Sequence, residues 1–193
     1  MNPLTRCFVA AFTLAALVPA AIAAESAPAA AAPASRVIMI ANLTEKVAGV
    51  SAYETWQGAM AVAQKAGFAV LGAKGAQGNG GFGQTLETPI DLSQCAYIEL
   101  ALAVQPGNEV PEYTIMFVDG DGTQCWARVR VDQLMPGQPL WMRVKVSDFT
   151  VSTKDKGADG RMDWSKIAQW HLQGDWTTKK PAHILFMALR GRT

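Results

Sequence analysis

Two neighbouring segments of the chain combine a tryptophan with cations at alternate positions. They are CWARVRV, residues 125–131, and LWMRVKV, residues 140–146. In a β-strand, successive side chains face opposite sides, so Trp126 would share a side with Arg128, and Trp141 with Arg143. An exposed indole can stack on the apolar C–H face of a pyranose ring, and a guanidinium can pair bidentately with a carboxylate or sulfate. These residue types therefore suit recognition of a carbohydrate, and especially of an acidic one.

Further candidate ligand contacts come from a third strand and from a loop. In AYIELALAV, residues 96–104, the isoleucine and the leucines are expected to face the core. Tyr97 and Glu99 alternate with them and would therefore point outward. Trp176 follows Gly174 and Asp175 in a loop, where binding residues are common. The predicted ligand-binding set is Trp126, Arg128, Trp141, Arg143, Tyr97, Glu99 and Trp176.

A common binding patch requires that these strands lie in one sheet. If the two tryptophan-bearing strands belong to opposite sheets, no such patch exists. A structural role also stays open, because outward aromatic rings often pack under loops and arginine stems often cover apolar surface.

The elements that position these residues are short and strand-like. Many short strands separated by turn formers, such as Pro106-Gly107 and Pro136-Gly137, favour an antiparallel β-sandwich or jelly roll. Two places allow a short helix: YETWQGAMAVAQK, residues 53–65, as a helix or long loop, and a single turn capped by Asp163. The predicted fold class is all-β, with one or two short helices. The expected strands are RVIMIANL, GFAVLGA, GFGQTLE, AYIELALAV, YTIMFV, CWARVRV, LWMRVKV, QWHLQ and HILFMAL.

The N-terminal residues have the composition of an export signal. Arg6, an apolar run and the small residues Ala21 and Ala23 predict a signal peptide over residues 1–23. An Ala/Pro-rich tether follows over residues 24–35, and the folded domain spans residues 36–193. We therefore expect a periplasmic or secreted protein that is not inserted in a membrane after signal cleavage. Removal of residues 1–23 takes away Arg6 and no acid, so the processed chain is electrically balanced, which argues against a nucleic-acid partner.

The order of the segments resembles a known family of folds. DLSQCAYIELAL, YTIMFVDGDG, LWMRVKVSDF and MDWSKIAQWHLQG are similar to the strand sequence of galactose-binding-domain-like jelly rolls, many of which are carbohydrate-binding modules of secreted bacterial proteins. The resemblance covers about residues 82–189, and it implies a jelly roll with a glycan partner. Many members hold a structural calcium through an acidic residue in the last strand. Here that strand, AHILFMAL, has no acid, so calcium is doubtful and no cofactor is predicted.

No catalytic or metal-binding motif is evident. In DGDG, residues 119–122, the position at which an EF-hand needs glutamate is Arg130, so the segment predicts a hairpin turn. The predicted function is a non-catalytic carbohydrate-binding domain. Two alternatives remain: a structural or assembly protein of the cell envelope, and a small jelly-roll polysaccharide lyase that would use Arg128, Arg143, Tyr97 and His171.

The pairing of Cys95 and Cys125 stays open. An oxidising compartment favours a disulfide, whereas strand parity places Cys125 inward and Cys95 in the outward phase of Tyr97.

Overall fold

The computed structural model describes residues 35–45, 49–63, 67–72, 75–153 and 158–193. The predicted signal peptide and tether, apart from Ser35, lie outside the described residues. Within them the chain forms twelve β-strands, and none of its helices is long and apolar enough to cross a membrane. The strands are β1 (Val37–Asn42), β2 (Val50–Glu54), β3 (Met60–Ala63), β4 (Gly67–Val70), β5 (Gly80–Ile90), β6 (Tyr97–Val104), β7 (Glu112–Asp119), β8 (Gln124–Arg130), β9 (Leu140–Lys145), β10 (Thr150–Val151), β11 (Ile167–Gln173) and β12 (Ile184–Arg192).

These strands form two antiparallel sheets. Sheet A has the order β3-β4-β12-β6-β9. Strand β4 pairs with the N-terminal half of β12, and β1 pairs with the C-terminal half. Sheet B has the order β10-β8-β7-β11-β5-β2. The two sheets pack as a β-sandwich, which confirms the predicted fold class.

The core lies between the sheets and is rich in aromatic side chains. Phe82 of sheet B packs against Phe68 and Phe186 of sheet A, with ring centroids 4.7 and 5.7 Å apart. Trp170 and Trp56 are also fully buried, and the indole Nε1 of Trp56 donates to the Gln77 carbonyl at 2.7 Å. These contacts fix how sheet B lies on sheet A, and so which side chains are left on the two outer faces.

All nine strands expected from the sequence are present, with small differences at their ends. The two places that allowed a short helix hold other structures. Residues 53–63, the described part of the first place, contain the end of β2, a turn and β3, while Asp163 accepts a hydrogen bond from the Ser165 amide in a turn. A three-residue 3-10 helix instead follows β9 at Val146–Asp148.

The predicted hairpin turn joins β7 to β8. The Gly122 amide donates to the Asp119 carbonyl, and Gly122 has a φ of 95°, a conformation that glycine adopts without strain.

Cys95 and Cys125 are both buried free thiols. Strand alternation predicts that Cys95 points outward, as Tyr97 does. Cys95 is nevertheless buried, because β6 begins only after it, at Tyr97, and the alternation does not extend to it.

Candidate ligand-binding faces

The two strands that combine tryptophan with cations lie in different sheets. Strand β8 belongs to sheet B and β9 to sheet A, because the connection between them carries the chain across the sandwich. The outward residues Trp126 and Arg128 are therefore on the opposite side of the protein from Trp141 and Arg143. The single patch that the sequence allowed does not form, and the structure presents two separate faces.

The outer side of sheet B combines aromatic and amide side chains, and we call it the amide face. Cross-strand partners place its members in two rows. One row runs from Trp126 through Met116 to His171, and the other from Arg128 through Thr114 and Gln173 towards Tyr53. The amide face consists of Tyr53, Thr114, Met116, Trp126, Arg128, Gln169, His171, Gln173 and the adjoining Trp176.

Two glycines of β5 keep the centre of the amide face flat. A Cβ atom on Gly81 would lie 2.6 Å from Tyr53 Oη, and one on Gly83 would lie 2.4 Å from His171 Nδ1. The two rings therefore lean over the bare backbone of β5 and meet edge to face, with centroids 5.8 Å apart. A side chain on β5 would displace them, so the glycines are what permits this platform.

Polar contacts hold several other side chains of the amide face in place. The Trp176 indole Nε1 donates to Gln173 Oε1 at 3.2 Å while half of the residue stays exposed. The His171 Nε2 and Gln169 Oε1 atoms are also 3.2 Å apart. Arg128 pairs with Glu112 at 2.9 Å, so this cation is largely neutralised within the face.

Burial sets the protonation of the two central rings. It raises the pKa of Tyr53 to about 12. Burial also lowers the pKa of His171 below its usual 6.5. At neutral pH the amide face therefore presents an un-ionised phenol and an uncharged imidazole.

The outer side of sheet A is organised around one carboxylate, and we call it the arginine face. Glu99 of β6 is only 2% exposed. Arg143 of β9 donates to its Oε1 from Nε and Nη2, at 3.0 and 2.7 Å. On the other side, Arg190 Nε donates to Oε2 at 2.7 Å, and Arg192 Nε lies 3.1 Å from Oε1. The arginine face consists of Tyr97, Glu99, Trp141, Arg143, Lys145, Arg190 and Arg192.

Two aromatic rings extend the arginine face. The Arg190 guanidinium lies 3.7 Å from the centroid of Trp141, and that of Arg143 lies 4.9 Å from the centroid of Tyr97. Trp141 also lines an apolar groove of about 440 Å³, whose floor includes Ala101 and Ala188. This arrangement places a cationic cluster directly beside an apolar groove.

The structure divides the predicted site residues between the two faces. Trp126, Arg128 and Trp176 lie on the amide face, whereas Tyr97, Glu99, Trp141 and Arg143 lie on the arginine face. Glu99 is too deeply buried to contact a ligand that approaches from solvent, so its role is to position the guanidinium groups. The residues proposed for a lyase are split in the same way, with Arg128 and His171 on one side and Arg143 and Tyr97 on the other.

Sequence reasoning missed several members of both faces. Gln169 and Gln173 alternate with His171 in QWHLQ, and Arg190 alternates with Arg192 beyond HILFMAL, so strand parity could have found all four. Tyr53 gives no such signal, because its segment, YETWQGAMAVAQK, shows no strand alternation. Among the described residues, no group of three or more His, Cys, Asp or Glu side chains is arranged to hold a metal ion.

Comparison with solved structures shows which fold this is. A family 11 carbohydrate-binding module from Clostridium thermocellum, in complex with a β-1,3-1,4-mixed-linked tetrasaccharide, is similar over 80% of this chain and 94% of its own, with a TM-score of 0.54 and 16% identity. A xylan-binding module, CBM15, is similar over 82% of this chain and 96% of its own, with a TM-score of 0.50 and 12% identity. No protein-family model and no curated protein matches the chain. The fold is therefore a jelly roll like that of carbohydrate-binding modules, as the order of the segments indicated.

Proposed function

We propose that this protein is a secreted, non-catalytic carbohydrate-binding domain, and that the amide face is its binding surface. The observation that carries the proposal is the flat centre of that face, where Tyr53 and His171 lie over two glycines and glutamine side chains surround them. Similar jelly rolls bind a mixed-linked glucan and xylan, which supports the same class of ligand here.

The chemistry of the amide face suits a neutral sugar chain. Aromatic rings can take the apolar side of a pyranose, while the amides of Gln169 and Gln173 both donate to and accept from its hydroxyl groups. Arg128 is paired with Glu112 and adds little net charge. The acidic preference that the sequence suggested therefore rests on the arginine face instead.

Secretion is part of the proposal and has its own test. Cleavage after Ala23 would release a chain that begins at Ala24, and the intact mass of the exported protein measures this directly. Recovery of exported protein that retains Met1 would contradict the proposed signal peptide.

Glycan retention tests the binding surface. Neutral polymers, including a mixed-linked glucan and xylan, are offered to the wild type and to the Trp176→Ala and Gln173→Ala variants. We expect each variant to stay folded, and loss of the indole to weaken binding by about 1–3 kcal/mol, by analogy with base-on-aromatic stacking. Trp141→Ala on the opposite face is the matched control, because Trp141 is 45% exposed and Trp176 50%.

Three results would contradict the proposal. Retention that Trp141→Ala abolishes and Trp176→Ala preserves would move the site to the other side of the protein. New reducing or unsaturated ends after incubation would identify an enzyme, such as the lyase. Failure to retain any neutral or acidic glycan would favour a structural or assembly role in the cell envelope.

A further inference from the structure

The arginine face holds more positive charge than its carboxylate can balance. Three guanidinium groups surround Glu99, at 2.7–3.1 Å, and Lys145 lies at the next outward position of β9. Glu99 is the one acid that pairs with these arginines among the described residues. Like charges at such short range repel one another, and a bound anion would reduce this repulsion. The excess positive charge therefore attracts anions to this face.

The guanidinium groups remain accessible although Glu99 is covered. The Arg143 side chain is 53% exposed, and those of Arg192 and Arg190 are 30% and 20% exposed. Glu99 accepts hydrogen bonds from one edge of Arg143 and of Arg190 and thereby orients both groups, which reduces the entropy that a ligand would otherwise have to remove. A planar carboxylate arriving from solvent would meet donors that are already oriented.

The neighbouring groove gives this anion site an apolar side. Its floor consists of small side chains at Ala101 and Ala188, and Trp141 forms a wall opposite Met39. Its volume of about 440 Å³ lies in the range of small-ligand sites. Trp141 lines the groove and stacks on the Arg190 guanidinium, so this one ring borders both the groove and the cationic cluster. A ligand that fits both has a carboxylate attached to a ring with an apolar side.

We propose that the arginine face is a second binding site, separate from the amide face, and that it takes a polysaccharide of uronic acids. The pyranose ring would enter the groove against Trp141, and its carboxylate would pair with Arg143 and Arg190. This goes beyond the proposed function of the amide face, because the two sites lie on opposite sheets and neither needs the other.

Affinity measurements with polygalacturonate test the second site on the full chain. We expect Arg143→Gln and Trp141→Ala each to weaken binding by about tenfold or more, the range for a lost charge-assisted hydrogen bond or stacking platform. Binding should also weaken as salt is raised, because the contacts are ionic. Carboxyl-reduced polygalacturonate, which has the same rings without the charge, should not bind at this face.

Matched variants on the opposite face keep the test specific. Arg128→Gln removes an exposed, paired arginine from sheet B, and Trp176→Ala removes an indole of similar exposure. We expect both to bind polygalacturonate as the wild type does. Thermal melting of every variant confirms that it is folded, and Arg143→Lys, which keeps the charge but not the planar fork, should recover only part of the affinity.

Several outcomes would overturn the proposal. One is absence of polygalacturonate binding, and another is binding that Arg128→Gln or Trp176→Ala abolishes while Arg143→Gln does not. A third is binding to phosphatidylglycerol vesicles or to DNA, but not to polygalacturonate, since that would identify a site for phosphate groups rather than for uronic acids. Retention of neutral glycans is measured separately, so failure here leaves the proposal for the amide face intact.

Discussion

Replacement of Glu99 by glutamine should destabilise the domain far more than the same change at a surface ion pair. Glu99 is 2% exposed, and its two oxygens receive three guanidinium groups. Glutamine keeps the size of the side chain, but it removes the charge and directs an amide N–H₂ group at a cation. The variant therefore leaves a partly buried group of like charges without its counter-ion.

The size of the effect follows from the exposure of the partners. Breaking a buried ion pair by removing one member typically costs about 3–5 kcal/mol. The Arg143 side chain is 53% exposed and can turn to solvent, whereas those of Arg190 and Arg192 are 20% and 30% exposed. We therefore expect the lower end, about 3 kcal/mol, which corresponds to a fall in Tm of about 6–12 °C for a domain of this size.

Urea unfolding and thermal melting measure the change, and Glu112→Gln provides the matched control. Glu112 pairs with Arg128 at 2.9 Å, but the Arg128 side chain is 71% exposed, so loss of this pair should cost about 0–1 kcal/mol. If Glu99→Gln and Glu112→Gln have equal stabilities at pH 7, the arginine cluster does not depend on its carboxylate and the reasoning fails.

The stability gap between the wild type and Glu99→Gln should depend on pH. Burial raises the pKa of Glu99, but hydrogen bonds from Arg190 and Arg143, together with the nearby Arg192 guanidinium, outweigh it, so the pKa lies below its usual 4.5. A carboxyl with a lowered pKa stabilises the folded state above the unfolded-state pKa, and this contribution is lost as the pH falls through the folded-state pKa. The gap should be full at pH 6 and should narrow in strongly acidic solution.

Two further predictions concern the thiols and the central histidine. Burial raises the pKa of Cys125 to about 12 and also raises that of Cys95, so neither thiol should react with iodoacetamide at pH 8 until the protein is denatured. Rapid alkylation of the native domain, measured by mass spectrometry, would contradict this burial. Burial lowers the pKa of His171, so the unfolded chain takes up a proton first as the pH falls below 6.5, and stability should decline there. His171→Gln should make Tm less dependent on pH between 7 and 5, and an unchanged pH dependence would argue against an uncharged buried imidazole.

Alternation within single strands made much of the fold predictable. Ile98, Leu100 and Leu102 are buried as expected, and so are Cys125 and Val129, because side-chain direction in a strand has a local period of two. The chain around Tyr53 was harder to assign, since β2 and β3 are short and carry no clear alternation. They are strands because they pair with β5 and β4, which are separate segments of the chain.

The sequence by itself determined which side chains of each strand point away from the core, and these side chains make up most of both faces. Only the tertiary structure decided which of them meet. Strands β8 and β9 are consecutive in the chain but belong to opposite sheets, so Trp126 and Trp141 cannot share a ligand. Glu99 meets Arg143 across 44 positions and Arg190 across 91, through pairing of β6 with β9 and β12. Local patterns fix the direction of a side chain, whereas its neighbours depend on the order of strands in the sheet, which is set by packing of the whole core.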